Sequence, residues 1–524
     1  MSNPSQPIAD LSPDEKRALL AELLRKKAGK SSYPLSYNQL GIWFLYQLAP
    51  ESSVYNVNFA ARIAAEIDIP ALGRTFQALV DRHPALRTTF PVHFGKPVQL
   101  VLESRKVHFQ EVECSSWSPE ELKTRLLGEA YCRFDLGRGP LLRVTLFTRS
   151  AREHILLLVV HHIVIDFWSL AILLDELGVL YSAESTGLKA SLPPIDLKYT
   201  DYVRWQAEMV AGPEGERLWT YWQKQLAGQL PVLQLRTDRP RPAIPTYRGA
   251  SHDFTMDAEL SSGLKALARA HGATLYMVLL AAFQVLLSYH SGQDDLLVGS
   301  PMVGRSRAEF EGIVGLFTNP VVLRASLFGN PTFQTFLDQV RHTVLSALEH
   351  QDYPTVLLVE RLRPPRDLSR PPLCQAMFVL DKPHRLAQSG GSTFVAAETG
   401  LRMNPGGLVL EAVPLERRAA SLDLVLLIIE TQASLSASMR YNTDLFDPAT
   451  IVRMSQHFEI LLRRILQEPA AGLDALKLAL AAADRQQQLN VRNEQKEVNI
   501  KKLKHVKRKN IITSQLSIEA VARK

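Results

Sequence analysis

Cysteine and long apolar runs are scarce in this chain of 524 residues. Its three cysteines, Cys114, Cys132 and Cys374, are far apart and odd in number. This pattern argues against a disulfide framework or a cysteine-ligated metal site and favours the cytoplasm. The sequence contains no uninterrupted apolar run of about 18 residues, so no membrane span is expected. Residues 1–5 show neither the charged nor the apolar region of a secretory signal, which also predicts a cytoplasmic protein.

The positive charge is confined to one end of the chain. The net charge is +7, and residues 496–524 contain nine Lys or Arg against two Glu, so the remaining residues are neutral overall. A basic tail on a neutral body indicates an acidic partner surface rather than a nucleic-acid-binding fold. The tail also lacks aromatic residues on which bases could stack. The alternative is a solvated tail without a partner. The central basic residues are Lys501, Lys502, Lys504, Lys507, Arg508 and Lys509.

Length and periodicity predict two lobes of mixed α+β structure. A chain of this length is too long for one ordinary core. We expect an N-terminal helix and linker at 1–34, a first lobe at 35–195, a second lobe at 196–485 and the basic tail at 486–524. Apolar periodicity predicts helices and strands in both lobes. The helices are expected at 68–82, 118–130, 170–181, 260–271, 274–289, 332–350 and 449–468. The strands are expected at 107–109, 141–148, 154–160, 295–299, 376–380 and 422–430.

Two adjacent histidines and an aspartate form the most informative segment. His161 and His162 follow the apolar run 155–160, and Asp166 comes four residues after His162. Neighbouring strand residues point to opposite faces, so one imidazole should face a channel while the other packs. We assign His162 to the channel and His161 to packing. Neutral imidazole is a base available near pH 7, so acyl transfer is the first hypothesis, with Asp166 orienting the ring or bracing the loop. A metal site is disfavoured, because adjacent histidines rarely converge on one ion and no third ligand motif occurs.

The segment from His161 to Ser169 resembles the HHxxxDxxS signature of condensation domains of non-ribosomal peptide synthetases, which are relatives of chloramphenicol acetyltransferase. Six further segments resemble the motifs of this family and follow in its order. The resemblance covers about residues 10–485, and seven ordered motifs make it specific. The six segments are 36–45, 82–88, 199–205, 312–320, 350–354 and 440–447.

The resemblance implies two chloramphenicol acetyltransferase-like lobes in a V-shaped pseudo-dimer with a central substrate tunnel. Two carrier proteins would dock at opposite mouths, each presenting a substrate on a phosphopantetheine arm. The amine of the acceptor would attack the acyl thioester of the donor to form an amide. The chain itself would bind no cofactor and no metal.

The resemblance also implies roles for particular residues. His162 would be the catalytic histidine, which positions the amine and is a candidate to accept its proton. Asp166 would be structural and would pair with Arg305. Burying Asp166 unpaired would be costly, so losing either partner should damage fold and activity together. The tunnel would be lined by Phe167, Trp168, Ser169 and Asn319.

Two positions depart from the pattern of the family. Phe167 stands where a glycine is usual, and Gly41 stands where an arginine is usual in the first motif. Phe167 and Trp168 should reshape the space beside the catalytic loop. The form Asp166-Phe167-Trp168-Ser169 resembles a subgroup in hybrid polyketide–peptide pathways, and this resemblance implies a fatty or polyketide acyl donor. The alternative is neutral variation at a loop position.

No carrier-type serine context and no glycine-rich nucleotide loop occur in the sequence. We therefore expect the chain to act in trans, or to be a terminal piece of an assembly line, on substrates held by separate carriers. The basic tail would then dock on neighbouring synthetase subunits, and the chain would be a monomer that contacts neither nucleic acid nor membrane.

Three other functions remain open. An ester-forming acyltransferase with a hydroxyl acceptor could use the same histidine. An epimerisation domain shares the histidine signature, although residues 312–320 resemble the condensation version. A non-catalytic scaffold could recruit carriers without turnover.

Overall fold

The computed structural model describes residues 31–365, 367–381, 402–431 and 434–486, together with residues 489 and 496. The predicted N-terminal helix and the basic tail residues 501–509 lie outside the described residues. The described strands are β1 (Ser31–Tyr33), β2 (Asn56–Ile63), β3 (Thr88–Thr89), β4 (Val92–His93), β5 (Lys96–Pro97), β6 (Gln99–Val101), β7 (His108–Glu113), β8 (Leu142–Ser150), β9 (Glu153–His161), β10 (Gly249–Met256), β11 (Asp295–Met302), β12 (Asn319–Ser326), β13 (Ala376–Asp381), β14 (Arg402–Met403), β15 (Leu410–Ala412), β16 (Leu424–Glu430) and β17 (Leu435–Asn442).

Seven of the described α-helices lie close to the positions that apolar periodicity predicts, whereas those at 37–48, 199–211, 213–225 and 355–362 have no predicted counterpart. Several begin at a capping side chain: Asp68 accepts from the backbone N–H of Ala71, and Ser118 accepts from that of Glu121. The described helices are α1 (Tyr37–Leu48), α2 (Ile69–Arg82), α3 (Pro119–Ala130), α4 (Phe167–Thr186), α5 (Tyr199–Ala211), α6 (Pro213–Gln225), α7 (Ala258–Ala270), α8 (Leu275–Ser291), α9 (Phe333–Glu349), α10 (Thr355–Leu362) and α11 (Pro448–Gln467). Residues 473–486 are helical as well.

The first lobe is built on a six-stranded sheet in the order β14-β15-β2-β9-β8-β7. The predicted strand pair is present: β8 and β9 run antiparallel, with Leu142 opposite Val160. Helices α2 and α4 contact each other in this lobe. The buried side chains of β8, β9 and α4 belong to one continuous core. Residues along β9 are buried on both faces, so its sequence is a continuous apolar run without alternating polar residues.

The second lobe is built on a six-stranded sheet in the order β10-β17-β16-β13-β11-β12. Strand β13 runs parallel to both β11 and β16, and the remaining pairs are antiparallel. Helix α8 contacts α7, α9 and α11, and thirteen of its seventeen residues are buried. A helix that is apolar all round belongs in a core, so α8 is the central helix of this lobe.

The packing does not follow a single boundary at residue 195. Strands β14 and β15 lie in the sequence range that we assigned to the second lobe, yet they extend the first sheet through the pair Ala412 and Ala61. Tyr199 and Phe317 are also buried in the core of the first lobe. The lobes therefore exchange segments, and sequence order alone cannot reveal such a crossover.

The described part of the chain holds no single helix that is long and apolar enough to cross a membrane. The pair α7 and α8, bent by 105°, reaches the required length and composition together.

Candidate active site

The two histidines lie where the central strand of the first lobe ends. Strand β9 ends at His161, and His162 begins a short 3-10 turn that ends at Val164. The backbone N–H of His162 donates to the carbonyl of Tyr55 at 2.8 Å, which fixes the start of the turn. Helix α4 begins directly after Asp166. The loop between strand and helix is therefore only a few residues long and is anchored at both ends.

His162 lines an internal cavity. Its Nδ1 lies 2.6 Å from the carbonyl oxygen of Ile165. Because a carbonyl oxygen can only accept, Nδ1 carries the proton, and the lone pair of the neutral ring is on Nε2. The side chain is half-buried and lines the cavity. This arrangement leaves Nε2 available as a base toward whatever occupies the cavity.

His161 is enclosed by packing. It is buried, and its ring meets that of Phe134 edge-on at 5.9 Å. Its Nδ1 accepts the backbone N–H of Ile163 at 3.2 Å. Burial, followed by the charges of His162 and Arg143, lowers the pKa of His161 to about 3. His161 is therefore neutral at physiological pH.

Asp166 braces the loop and makes no hydrogen bond to the His162 ring. Its Oδ1 accepts the backbone N–H of Ser169 at 2.7 Å, and its Oδ2 accepts that of Phe317 at 3.1 Å. Nη2 of Arg305 donates to Oδ1 at 3.2 Å. Of the two roles left open for Asp166, bracing is the one that these contacts support.

Arg305 ties a loop of the second half of the chain to the catalytic loop. Its Nη1 donates to the carbonyls of Phe310 and Ile313 at 2.5 and 2.8 Å. Its guanidinium carbon lies 3.9 Å from the ring centroid of Phe317. Burial is the largest cause of the lowered pKa of Arg305, while Asp166 acts in the opposite direction. The pair is thus a buried clamp with several hydrogen-bonding partners.

The structure corrects the predicted positions of Ser169 and Asn319, neither of which lines the cavity. Ser169 is fully buried, and its Oγ bonds with the backbone of Gly315 and with Arg305. Asn319 is buried, and its Nδ2 donates to the carbonyls of Gln351 and Tyr353 at 2.8 Å each. Both residues hold loops together, because their polar atoms are already used by backbone groups.

The cavity has a volume of about 2440 Å³ and is lined by residues of both lobes. Phe167 and Trp168 lie on its wall beside His162. The ring of Phe167 is 51% exposed and meets the ring of His162 at 6.3 Å. Nε1 of Trp168 donates to the carbonyl of Glu311 at 2.9 Å. Phe167 is therefore free to contact a substrate, whereas Trp168 is held in place.

Gly41 also lines the cavity, on helix α1. A Cβ atom there would lie 2.9 Å from Cγ2 of Val356 on α10, so the two helices approach closely at this point. This contact gives a packing reason for a residue without a side chain at position 41.

Sequence reasoning missed Tyr199 and Phe317 as parts of the site. The hydroxyl of Tyr199 donates to the carbonyl of Leu316 at 2.6 Å, and the ring of Phe317 packs on it edge-on at 5.2 Å. Together they shape the loop in which the backbone N–H of Phe317 donates to Asp166. Both residues fall within segments that resemble family motifs, which is the signal that could have identified them.

The family comparison agrees with this geometry. Residues 30–489 match the family described as "Condensation domain". One of the proteins that make up linear gramicidin synthase in Brevibacillus parabrevis is 41% identical over 449 residues, which are 85% of this chain and 6% of the relative. Surfactin synthase subunit 1 of Bacillus subtilis is 36% identical over 86% of this chain and 12% of the relative. The chain thus spans a small part of these relatives.

Solved structures show the same fold. A four-domain nonribosomal peptide synthetase bound to AMP and glycine aligns with a TM-score of 0.76 and 25% identity, covering 84% of this chain and 33% of the other. The X-domain from teicoplanin biosynthesis, in complex with OxyB, aligns with a TM-score of 0.75 and 26% identity, covering 85% and 96%. The chain belongs to the condensation-domain family.

Proposed function

We propose that this chain forms an amide by transferring a carrier-bound acyl or peptidyl thioester to an amine, which is carried as an aminoacyl group on a second carrier. The observation that carries the proposal is the Nε2 of His162, which holds the ring's lone pair beside a cavity shared by both lobes. The relatives named above are synthases whose activity belongs to much longer chains, and they support the same class of reaction.

In the proposed step, every heavy-atom bond that forms or breaks belongs to the two substrates. The amine nitrogen attacks the thioester carbonyl carbon, a C–N bond forms and the C–S bond breaks. Nε2 of His162 positions the amine and accepts its proton, which then passes to the departing thiolate of the donor arm. No external oxidant, reductant or nucleotide is required.

Phosphopantetheine would enter only as the arm of partner carriers. An arm can deliver a thioester into a cavity lined by both lobes while its carrier stays outside. The V-shape, the tunnel mouths and the monomeric state belong to this proposal. So does the docking of the basic tail on a neighbouring synthetase subunit, which is argued from its charge alone.

The test uses purified chain with one carrier loaded with an acyl donor and a second carrier loaded with either an aminoacyl or a hydroxyacyl acceptor. We expect an amide from the first acceptor, seen by intact mass spectrometry of the acceptor carrier. An ester from the hydroxyacyl acceptor with no amide from the aminoacyl acceptor would favour the ester-forming alternative.

A non-catalytic scaffold is the second candidate, because one similar structure is an X-domain in complex with another protein. The half-buried His162, which lines the cavity and keeps the lone pair of its ring on Nε2, favours catalysis instead. Carrier binding without any product, for every loaded pair, would favour the scaffold.

A further inference from the structure

The sheet of the second lobe presents one face to the cavity, and this face is divided into an apolar half and a polar half. Strands β13 and β16 supply the apolar half. Along β16 and up to Val379 on β13, the cavity-lining side chains alternate with core residues, as the period of a strand requires. Leu380 and Asp381 at the end of β13 also line the cavity. These apolar residues are Met377, Val379, Val425, Leu427 and Ile429.

Strands β17 and β10 supply the polar half. On β17, Ser436, Ser438 and Arg440 are partly buried and line the cavity, whereas the residues between them are buried in the core. Arg440 lies opposite Ser251 of β10, and Ser438 lies opposite Asp253. A guanidinium therefore stands on the cavity wall directly next to the apolar half.

A second arginine reaches the same place from the segment that crosses between the lobes. Arg417 follows strand β15 and lines the cavity. The segment is held on both sides of it: the hydroxyl of Tyr131 donates to the carbonyl of Glu416 at 3.1 Å and accepts the backbone N–H of Arg418 at 3.0 Å. Burial, followed by the charge of Arg417, lowers the pKa of Arg440 to about 9. The carbonyl of Arg418 also accepts the backbone N–H of Gly249 on β10 at 3.0 Å, and β10 pairs with β17, so the two arginines come from neighbouring segments of the cavity wall.

Neither guanidinium is neutralised in the way that another cavity arginine is. Arg241 forms a two-pronged salt bridge with Asp423. Within the described ranges, Arg417 and Arg440 form no salt bridge and no side-chain hydrogen bond, and Nε of Arg440 is buried without a partner. A buried charge without a partner is costly, so the arrangement favours an anion from outside the chain.

One carboxylate acts on both guanidiniums but does not balance their charge. Asp253 attracts Arg440 but accepts the hydroxyl of Ser438 at 2.6 Å, and it is exposed. Two positive charges therefore face one negative charge that is already hydrogen-bonded. Arginine forks match the geometry of carboxylate and phosphate oxygens.

We propose that Arg417 and Arg440 form an anion subsite that binds an oxyanion carried by a substrate, either a carboxylate or the phosphate of its pantetheine arm, an assignment that rests on the amide-forming function proposed above. The adjacent apolar half of the sheet then takes the hydrocarbon part of the same substrate. Specificity follows, because a neutral analogue would leave the two guanidiniums unpaired.

The first test measures binding without turnover. Calorimetry with glutarate and with inorganic phosphate compares the wild-type chain with Arg417→Gln and Arg440→Gln. We expect each substitution to weaken binding of one of these probes roughly 10-fold or more, since hydrogen bonds to charged groups are lost. Arg440→Lys keeps the charge and should recover part of the affinity. Arg248→Gln is the control, because Arg248 is exposed and paired with Asp444. Thermal unfolding checks that the variants fold.

The second test separates the sources of the anion. To test a carboxylate on the donor, donor carriers bear either a glutaryl group or its neutral amide counterpart. To test a carboxylate on the acceptor, acceptor carriers bear either a glutamyl or a glutaminyl group. To test the phosphate of the arm, soluble acyl-phosphopantetheine is compared with acyl-pantetheine. Arg440→Gln should lower kcat/KM only for the partners that carry the recognised anion. Equal kcat/KM for anionic and neutral partners in wild type, together with unaltered probe binding in both variants, would overturn the subsite. Loss of all amide formation with intact, arginine-dependent probe binding would instead overturn the proposed function and leave the subsite standing.

Discussion

Nη2 of Arg305 lies 3.2 Å from Oδ1 of Asp166, and both side chains are only 1% exposed. Asp166 caps the helix that follows the catalytic loop, and Arg305 comes from a loop beyond strand β11. The contact therefore fixes the position of His162 relative to a segment from the second half of the chain, and it does so in a place where water cannot compensate for a missing partner.

Breaking this clamp should destabilise the protein strongly. Asp166→Asn or Arg305→Met leaves a buried charge unpaired, so each should lower the free energy of unfolding by about 3–5 kcal/mol. The double substitution should cost less than the sum of the two, because no lone charge remains. Urea unfolding of wild type, the two single variants and the double variant gives the coupling free energy between the two side chains. The pair Arg74 and Glu184 is the control: it is exposed, and its loss should cost about 0–1 kcal/mol. Equal costs for the two pairs would contradict the clamp.

The pKa of His161 predicts how stability depends on pH. Its pKa is about 3 in the folded chain, against roughly 6.5 when unfolded. The unfolded chain therefore binds a proton that the folded chain does not, and stability is lost as the pH falls from the higher value toward the lower. His161→Asn removes this titration and keeps an acceptor for the N–H of Ile163.

Urea unfolding at several pH values measures this effect. Between roughly pH 4 and 6, the free energy of unfolding of His161→Asn should fall less steeply than that of wild type, by about 1.4 kcal/mol per pH unit. His290, whose pKa burial also lowers to about 3, contributes equally to both proteins. Parallel slopes would show that His161 is not neutral in the folded protein.

Phe167 should control the choice of donor. It projects into the cavity beside His162 and is half exposed, so Phe167→Ala opens space without disturbing the core. We expect the ratio of kcat/KM for a bulky over a short acyl donor to rise roughly 10-fold. Phe328→Ala, at an exposed phenylalanine of the second lobe that does not line the cavity, should leave the ratio unchanged. An unaltered ratio in Phe167→Ala would mean that the departure from the family glycine is neutral variation.

Deleting residues 496–524 should weaken binding to acidic carrier or synthetase partners without changing the thermal unfolding temperature. The nine basic residues of this segment give the binding its charge, so the difference from wild type should shrink as salt is added. Surface plasmon resonance at low and high salt measures it. A matched chain with glutamine at the six central basic positions should behave like the deletion. Identical affinity in all three chains would exclude the tail from docking.

Much of the fold could be predicted because the chain has strong local signals. Helices α2 and α3 begin at the capping residues Asp68 and Ser118, and β9 is a long apolar run. The exchange of β14 and β15 into the first sheet could not be predicted, because their short segments carry no periodicity and their partner strand is distant in sequence.

In the candidate site, too, some features could be predicted from the sequence and others could not. Strand alternation predicts different surroundings for His161 and His162, but β9 ends at His161, and the turn that follows it positions His162. The resemblance predicts Ser169 on the cavity wall, but Ser169 lies in the first helical turn after Asp166, and its hydroxyl contacts Arg305 and the backbone of Gly315. The proximity of Arg417 to Arg440 depends on a crossing segment and a strand register, which no motif encodes.

Amide formation by His162→Ala tests the central claim most directly. The ring is half-buried and its Nδ1 has one carbonyl partner, so this variant should fold like wild type. With donor- and acceptor-loaded carriers, mass spectrometry should show product formation slowed at least about 100-fold. His108→Ala, at an exposed histidine, should keep the full rate. Wild-type rates from His162→Ala would contradict the account.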